Sequence, residues 1–506
     1  MISKSNLLIN FITVSFWTFV SRIFGFVRDI MFAAFLGSGP IGEAFIIAFS
    51  LPNIFRRFFA EGAFNAAFIP MFKKNMGNKI QSIKFTNNTL SMMILVLFVF
   101  TTVSIIIMPL LVLAMASGFG NDNRFETSVF FGRITFPYIF FVSISSLFAG
   151  ILNSYGKFGI VSATPIFLNI GLILAMILSY VFDWEVGTIL SISVPISGIL
   201  QLFVLVQFCK KIGYSPKLNL PKLDAKIKKL MIIALPVVFS GGVIHINLVV
   251  GRQIASYYDG AIAWLNYADR LYQLPLGVVG IALGSVLLPK LSEKIQLDNV
   301  SEMNRVVHNA LKIAFILILP ATVALIILPI PIITILFERG EFSNIDSKNT
   351  ASALAIYAFG LPAFVLHKIF TPIFFAKGNT KTPFRIALIS MLSNIIVALF
   401  LINFIGYLAP VFSTTISSWI MAFSLYYESK KIGFYLDRKL IKEIFIILLS
   451  TLILALILLI SEKEFFNLLV YNKFKIIYLF TLISLSSFIY FAILWLLGIL
   501  KKNKKV

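Results

Sequence analysis

One cysteine, Cys209, stands in a chain of 506 residues, which excludes an intramolecular disulfide and a thiolate metal site. Histidine is almost as scarce: His245, His308 and His367 are far apart in sequence, with no pair at the helical spacing a metal would need. Each reads as an ordinary intramembrane or rim histidine. Acidic residues number 21 against 43 basic ones, and the acids Asp122, Glu126, Glu338 and Glu341 are scattered rather than clustered as catalytic carboxylates on one loop. No Walker-type phosphate loop is present, which argues against direct ATP drive. Long polar stretches are also missing, so there is no soluble domain to carry a separate activity.

Apolar side chain is what the sequence has in excess. Hydrophobic residues make up 59% of it, charged residues only 13%, and the mean hydropathy is +0.95. A soluble globule of this length could not bury that much apolar surface. Apolar runs of about 20 residues recur from end to end, the length a helix needs to cross a bilayer. The short alternating segments of a membrane β-barrel are absent. The expected fold is all-α integral membrane, with about 14 transmembrane helices. Their expected spans are 7–36, 41–72, 90–117, 129–153, 160–182, 187–209, 230–257, 261–289, 307–337, 349–376, 383–404, 409–429, 440–461 and 476–500. The first stretch follows Lys4 without a small-residue cleavage site and is expected to be a retained helix.

The formal net charge of +22 follows the loops. One alternate set holds "KKNMGNKIQSIK" (73–84), "KKIGYSPKLNLPKLDAKIKK" (210–229), "PKLSEK" (289–294), "KGNTKTPFR" (377–385), "KKIGFYLDRKLIK" (430–442) and the tail "KKNKKV". In the opposite set "GSGPIGE", "FDWEVG", "YYDG" and "NFIGYL" contain no Lys or Arg, and the longer members near Arg124, Arg339, Lys348 and Lys463 are balanced by acids. The positive-inside rule makes the first set cytoplasmic and places both termini in the cytoplasm. The surplus charge is then topology and attraction to anionic lipid, and no nucleic-acid partner is expected.

The Lys-rich link 210–229, with Pro216 and Pro221, divides the chain into an expected N-lobe (1–209) and C-lobe (230–431), followed by 432–506 with the last two helices and a basic tail. A weak internal repeat supports the division. Residues 42–72 align with 261–291, matching Pro70 to Pro289, and 136–141 align with 361–366, matching Pro137 to Pro362 and Asn169 to Asn394. An even number of helices per copy gives parallel repeats, here two pseudo-repeated six-helix lobes around a central cavity plus two C-terminal helices.

Arg22, Arg28, Asp29, Arg56, Arg57, Glu61, Arg252, Asp269 and Arg270 lie inside these apolar segments. An Arg or Asp at mid-bilayer costs about 2.5–3.5 kcal/mol even on a lenient scale, so four lipid-facing arginines would cost roughly 10 kcal/mol. Such groups must face a wet cavity, pair with acids, or snorkel from a helix end. Arg57 and Glu61 are four apart and can pair on one helix. Arg252 is near a helix end and can snorkel. Asp29 shares a stripe with Arg22 and can neutralise an arginine of a neighbouring helix. Arg22, Arg28, Arg56 and Arg270 are not all balanced by local acids and are the candidate cavity cations. Guanidinium forks match phosphate oxygens in pairs and stay charged at any working pH, so the cavity suits an anionic, phosphorylated substrate.

At these residues the ordered series "SRIFGFVRD", "LPNIFRRFFAEGAFNAAFIP", "FPYIFF…AGILNSYGKF", "YADRLYQLPLGVVGIALGSVLLPKLS", "LFERGEF" and "GNTKTP" resembles the MurJ (MviN) family of bacterial lipid II flippases, within the MOP exporter superfamily. The resemblance implies a multi-pass protein of the bacterial cytoplasmic (inner) membrane. It would move the undecaprenyl-diphosphate-linked peptidoglycan precursor, lipid II, to the periplasmic leaflet by alternating access. It would be a monomer, bounded by membrane lipids and in contact with cell-wall synthesis proteins. Arg22, Arg28, Arg56 and Arg270 match the positions that receive the head group. Asp29, Glu61 and Asp269 match acidic positions expected to hold the arginines or form gate contacts, and Ser21 is expected to line the cavity. The last two helices would form a groove for the polyprenyl tail. Glu43 stands where relatives often carry Asp, and Gln273 where they often carry Glu. No cofactor is implied; coupling to an ion or to membrane potential is, with no ion site that can be carried over.

Two other classes fit less well. A drug–cation antiporter of the same superfamily would prefer an acidic cavity, and a polyprenyl-phosphate glycosyltransferase would show clustered catalytic carboxylates. A flippase for another lipid-linked oligosaccharide is the nearest alternative, because sequence does not separate close glycan substrates.

Overall fold

The computed structural model describes residues 4–59, 63–120, 122–284, 299–470 and 472–500, with the isolated positions 287, 290, 291 and 293. Among these residues helix is the dominant structure and no strand occurs, as an apolar chain in lipid requires, since a helix satisfies every backbone group internally. Among the described residues, nine helical stretches are long and apolar enough to cross a membrane. The helices that carry Arg22, Arg28, Arg56, Arg252 and Arg270 are outside those nine. The chain divides into two compact units, residues 1–263 and 264–506.

The first unit contains α1 (Lys4–Leu36), α2 (Pro40–Phe59), α3 (Ala63–Asn75), α4 (Lys79–Ile106), α5 (Met108–Met115), α6 (Asn123–Thr135), α7 (Tyr138–Ser154), α8 (Phe158–Ala163), α9 (Ile166–Phe182), α10 (Val186–Lys211) and α11 (Ala225–Ala255). Three spans expected as single helices, 90–117, 129–153 and 160–182, are broken at Ile107, Phe136–Pro137 and Thr164–Pro165. Each break precedes or contains a proline, which lacks an N–H and crowds the preceding turn but fits a helix's first turn. Pro52 and Pro195 are nevertheless carried inside α2 and α10.

Helices also begin earlier than the apolar runs suggest. The Asn78 side chain accepts the Gln81 N–H at 3.1 Å and starts α4, and Asp224 accepts the Ile227 N–H at 2.8 Å and starts α11. Hydropathy sees only the lipid-facing length, whereas these caps let polar turns extend each helix outward.

Phe64, Phe68 and Phe72, four apart on α3, stack at 5.2 and 5.5 Å, and Phe68 meets Phe85 of α4 at 5.7 Å. Tyr214 caps this row at 5.4 Å from Phe72 and hydrogen bonds to Ser82. Burial pushes the Tyr214 hydroxyl above its ordinary pKa. From Tyr214 the Lys-rich link lies strapped along α4. Asn87 accepts the Lys217 N–H at 2.8 Å and Ser91 the Asn219 N–H at 2.9 Å. Asn88 accepts from Lys222 N–H at 2.8 Å and donates to its carbonyl at 2.7 Å. Polar residues inside an apolar helix are here the partners of an extended backbone.

At the other end of α11, a short 3₁₀ turn (Ser117–Phe119) docks on the helix terminus. Gln253 Oε1 accepts from both the N–H and the hydroxyl of Ser117 at 2.7 Å, and Ser256 Oγ accepts the Gly118 N–H at 2.9 Å. A Cβ on Gly118 would fall 2.5 Å from the Ser256 carbonyl, which is backbone and cannot rotate away. Gly118→Ala is therefore expected to destabilise the protein by about 1–3 kcal/mol, the cost of overpacking. Thermal unfolding in detergent checks this, with Gly77→Ala, where nothing lies within 4 Å, as the comparison.

The second unit holds most of α12 (Ala261–Gly284), then α13 (Val300–Ile327), α14 (Pro329–Leu336), α15 (Asn344–Ala376), α16 (Lys381–Ile405), α17 (Ala409–Lys430), α18 (Arg438–Val470) and α19 (Lys475–Leu496). The expected 307–337 span breaks at Leu328, before Pro329. A capping box starts α15: Ser343 and Asp346 satisfy each other's backbone N–H. In this unit α15 packs on α13 and α17, and α18 on α13 and α19. Phe445, Leu452, Ile460, Phe480 and Phe488 of α18 and α19 are 61–73% exposed, apolar surface that lipid must cover. Of the repeat's paired positions, Asn169 and Asn394 are both buried and hydrogen bonded; Pro289 lies outside the described residues.

Candidate functional site

Arg28 is the most buried of the expected cavity cations. It lies on α1, 8% exposed, with one Nη donating to Asn169 Oδ1 of α9 at 2.8 Å. Its Nε and second Nη donate to Asp29 Oδ1 at 3.1 and 2.6 Å, and its guanidinium sits 5.4 Å from the Phe32 ring centre. Asn169 is itself oriented by donating to the Ser21 carbonyl at 3.1 Å. Ser21, Asn169, Arg28 and Asp29 thus form one connected chain, in which Asp29 pairs with the arginine beside it on its own helix. Asn169 drew attention in the sequence only as a repeat match, and its polar side chain within an apolar run was the available signal.

Arg22, six residues earlier, is exposed and makes no ion pair among the described residues. Arg56 is partly exposed on α2, next to Phe55, whose ring packs on Phe100 and Phe136 at 5.2 and 5.8 Å. Arg252 lies in the last turn of α11, where a cation complements the helix dipole. In the second unit Arg270 and Asp269 are partly exposed on α12, and Gln273 donates a hydrogen bond to Asp269. Gln273 thus serves Asp269 as a neutral partner. Glu61 and the side chain of Arg57 lie outside the described residues, and with them the expected Arg57–Glu61 pair.

The structure assembles a second charged constellation from residues the sequence left apart. Glu43, in the first turn of α2 and 1% exposed, accepts from an Nη of Arg124 at 2.8 Å and from the Ile262 N–H at 3.0 Å. Arg124 also donates to Asp122 at 2.6 and 2.8 Å and lies 2.9 Å from Asp259. Its guanidinium stacks 4.4 Å from the Phe119 ring centre. Burial alone would raise the Asp122 carboxyl, but the Arg124 side chain and N–H hold it below the usual carboxylate range. A depressed pKa stabilises the fold at neutral pH, and that contribution fades as pH falls through the folded value. A pocket of about 700 Å³ opens here, lined by Ser38, Glu43, Asp122, Arg124, Asp259 and Gly260. Arg22, Arg28 and Arg56 do not line it. Glu43 was expected as a supporting residue. Arg124 was not singled out, because a loop with balanced charges reads only as topology.

Comparison with known proteins sets these residues in a family. Residues 32–500 match the family described as "Lipid II flippase MurJ". A probable lipid II flippase MurJ of Rickettsia prowazekii (strain Madrid E) is 40% identical over 83% of each chain. Another from Buchnera aphidicola subsp. Baizongia pistaciae is 32% identical over 98% of each. Among solved structures, "Lipid II flippase MurJ, inward closed conformation" aligns at a TM-score of 0.82 and 27% identity, covering 96% of this chain and 99% of that one. An inward-facing multidrug resistance MATE family transporter of the MOP superfamily aligns at a TM-score of 0.65 and 16% identity, a likeness of fold alone. With a match along almost its whole length, this chain belongs to the MurJ lipid II flippase family.

Proposed function

We propose that this protein moves lipid II across the bacterial inner membrane, from the cytoplasmic to the periplasmic leaflet. The observation that carries the reading is the family match over residues 32–500. The protein is a transporter and not an enzyme: no bond of the substrate changes. The polar head cannot cross hydrocarbon unaided, so the work is to shelter it while the tail stays in lipid.

In this reading two repeats of six helices enclose a cavity that opens to one side at a time, and the chain crosses the membrane 14 times with both termini inside. Arg22, Arg28, Arg56 and Arg270 bind the diphosphate. Asp29 and Asp269 hold arginines in place, Ser21 lines the cavity, Glu61 acts at a gate, and Glu43 and Arg252 are supporting residues. The exposed apolar rows of α18 and α19 support a role for these helices in guiding the polyprenyl tail. No cofactor takes part. The states differ by only a few kcal/mol, and membrane potential acts on a moving charge with about 2.3 kcal/mol per 100 mV, enough to bias their exchange. The protein works as a monomer alongside cell-wall synthesis proteins.

The test is depletion in the host. Lipid II is expected to accumulate in the inner leaflet, out of reach of an externally added probe. Normal surface exposure of lipid II in cells lacking the protein would refute the assignment, and accumulation of a different lipid-linked oligosaccharide would redirect it.

A further inference from the structure

Lys368 lies inside α15, eight residues before its end at Ala376, in a stretch long and apolar enough to cross a membrane. A lysine facing lipid at that depth is costly, and its place on the helix turns it toward α12 instead. Tyr357, Phe364 and Lys368 follow at intervals of seven and four, so they form one stripe of α15. Both rings of that stripe stack on Tyr272 of α12, at 4.8 and 5.7 Å. The Lys368 ammonium continues the contact: its Nζ is 3.3 Å from where a Cβ on Gly280 would stand. It rests in the notch left by a residue without a side chain. Phe359, on the opposite face of α15, is 55% exposed.

Gly280 belongs to a polar stripe of α12. Asp269, Gln273 and Gly280 are separated by four and seven residues and share a face, and Gln273 hydrogen bonds to Asp269 along it. Lys368 is exposed, yet it is turned toward this stripe. Ten residues separate Gly280 from Arg270, about 15 Å along a helix. The ammonium therefore sits nearer the end of α15 that runs into Lys377 and Lys381, the basic loop expected on the cytoplasmic side.

We infer that Lys368, seated against Gly280, is a further anion-binding residue of the transport path, which receives the substrate diphosphate on the cytoplasmic side before it reaches Arg270. This rests on the lipid II reading above. The residue type suits a point of entry. An ammonium on a flexible stem is a strongly hydrated point charge with three donors. It can engage a phosphate without the fixed bidentate grip of a guanidinium, and so can release it. Gly280 gives that stem room to lie against α12.

The test uses the full-length protein in phosphatidylcholine nanodiscs, with lipid II and undecaprenyl diphosphate as two separate probes. Lys368→Gln is expected to weaken binding of both about tenfold, the scale of one charge-assisted hydrogen bond. It should also flatten the salt dependence of binding, which a merely structural role would leave unchanged, and Lys368→Arg should restore most of the affinity. If Lys368→Gln does not fold, Gly280→Leu, which crowds the ammonium while keeping its charge, is read in the same way. The assignment is overturned if undecaprenyl diphosphate binds the variant as it binds wild type while Arg270→Ala weakens it. A loss confined to lipid II also overturns it, because the ligand would then be the peptide carboxylates. Wild-type protein that binds neither lipid would instead sink the lipid II reading itself.

Discussion

Arg28→Ala is expected to abolish lipid II transport and also to lower the stability of the folded protein, and the two losses have separable causes. The guanidinium is 8% exposed and shares three hydrogen bonds with Asp29 and Asn169. Removing it takes two hydrogen bonds and the ion pair from the Asp29 carboxylate, itself 6% exposed, at a cost of about 3–5 kcal/mol for a broken buried pair. Removing both charges should recover most of that stability, because the buried pair is then removed as a unit. The double variant Arg28→Ala/Asp29→Ala is therefore expected to unfold near the wild-type temperature and still fail to transport. The measurements are thermal unfolding of purified protein and rescue of a depleted host. A double variant that supports growth would show that Arg28 only neutralises Asp29. Arg22 provides the contrast: exposed and without an ion pair among the described residues, it should lose transport on replacement by alanine with little change in stability.

The second large effect falls on stability. Arg124 holds Glu43, Asp122 and Asp259 together, and Glu43 is 1% exposed. Arg124→Ala leaves Glu43 buried with the backbone N–H groups of Ile262 and Gly260 as its described partners, and is expected to cost about 3–5 kcal/mol. Glu43→Gln in the same background should restore part of this, since an amide is cheaper to bury than a carboxylate. Asp259→Asn alone should do little, because that side chain is 94% exposed and exposed pairs contribute about 0–1 kcal/mol. A double-mutant cycle between positions 43 and 124, followed by thermal unfolding, measures the coupling directly. A coupling no larger than that of an exposed pair would show that Glu43 is held by its backbone contacts instead.

The two constellations were unequally visible in the sequence. Arg28 stood out because a guanidinium in an apolar run is anomalous wherever its helix lies. Its partner was open: Asp29 could neutralise an arginine of a neighbouring helix, and the structure shows it paired with Arg28, beside it on its own helix. Arg124 is equally charged but falls outside the expected apolar spans, where charge is ordinary. Only the fold brings Glu43, 81 residues away, to within 2.8 Å of it. Lys368 went unnoticed as a single charge in a long apolar helix, and its meaning depends on a glycine of another helix that touches it.

The sequence by itself determined that the chain is helical, lies in the membrane and carries cations inside apolar segments. Hydropathy and charge are properties of each residue against its solvent, and they add along the chain without reference to any partner. Tertiary structure alone decided where helices break, which prolines interrupt and which are carried through, how the Lys-rich link straps onto α4, and which acid meets which arginine. Those outcomes depend on pairs of residues distant in sequence, whose contact energies exist only once the backbone has brought them within reach.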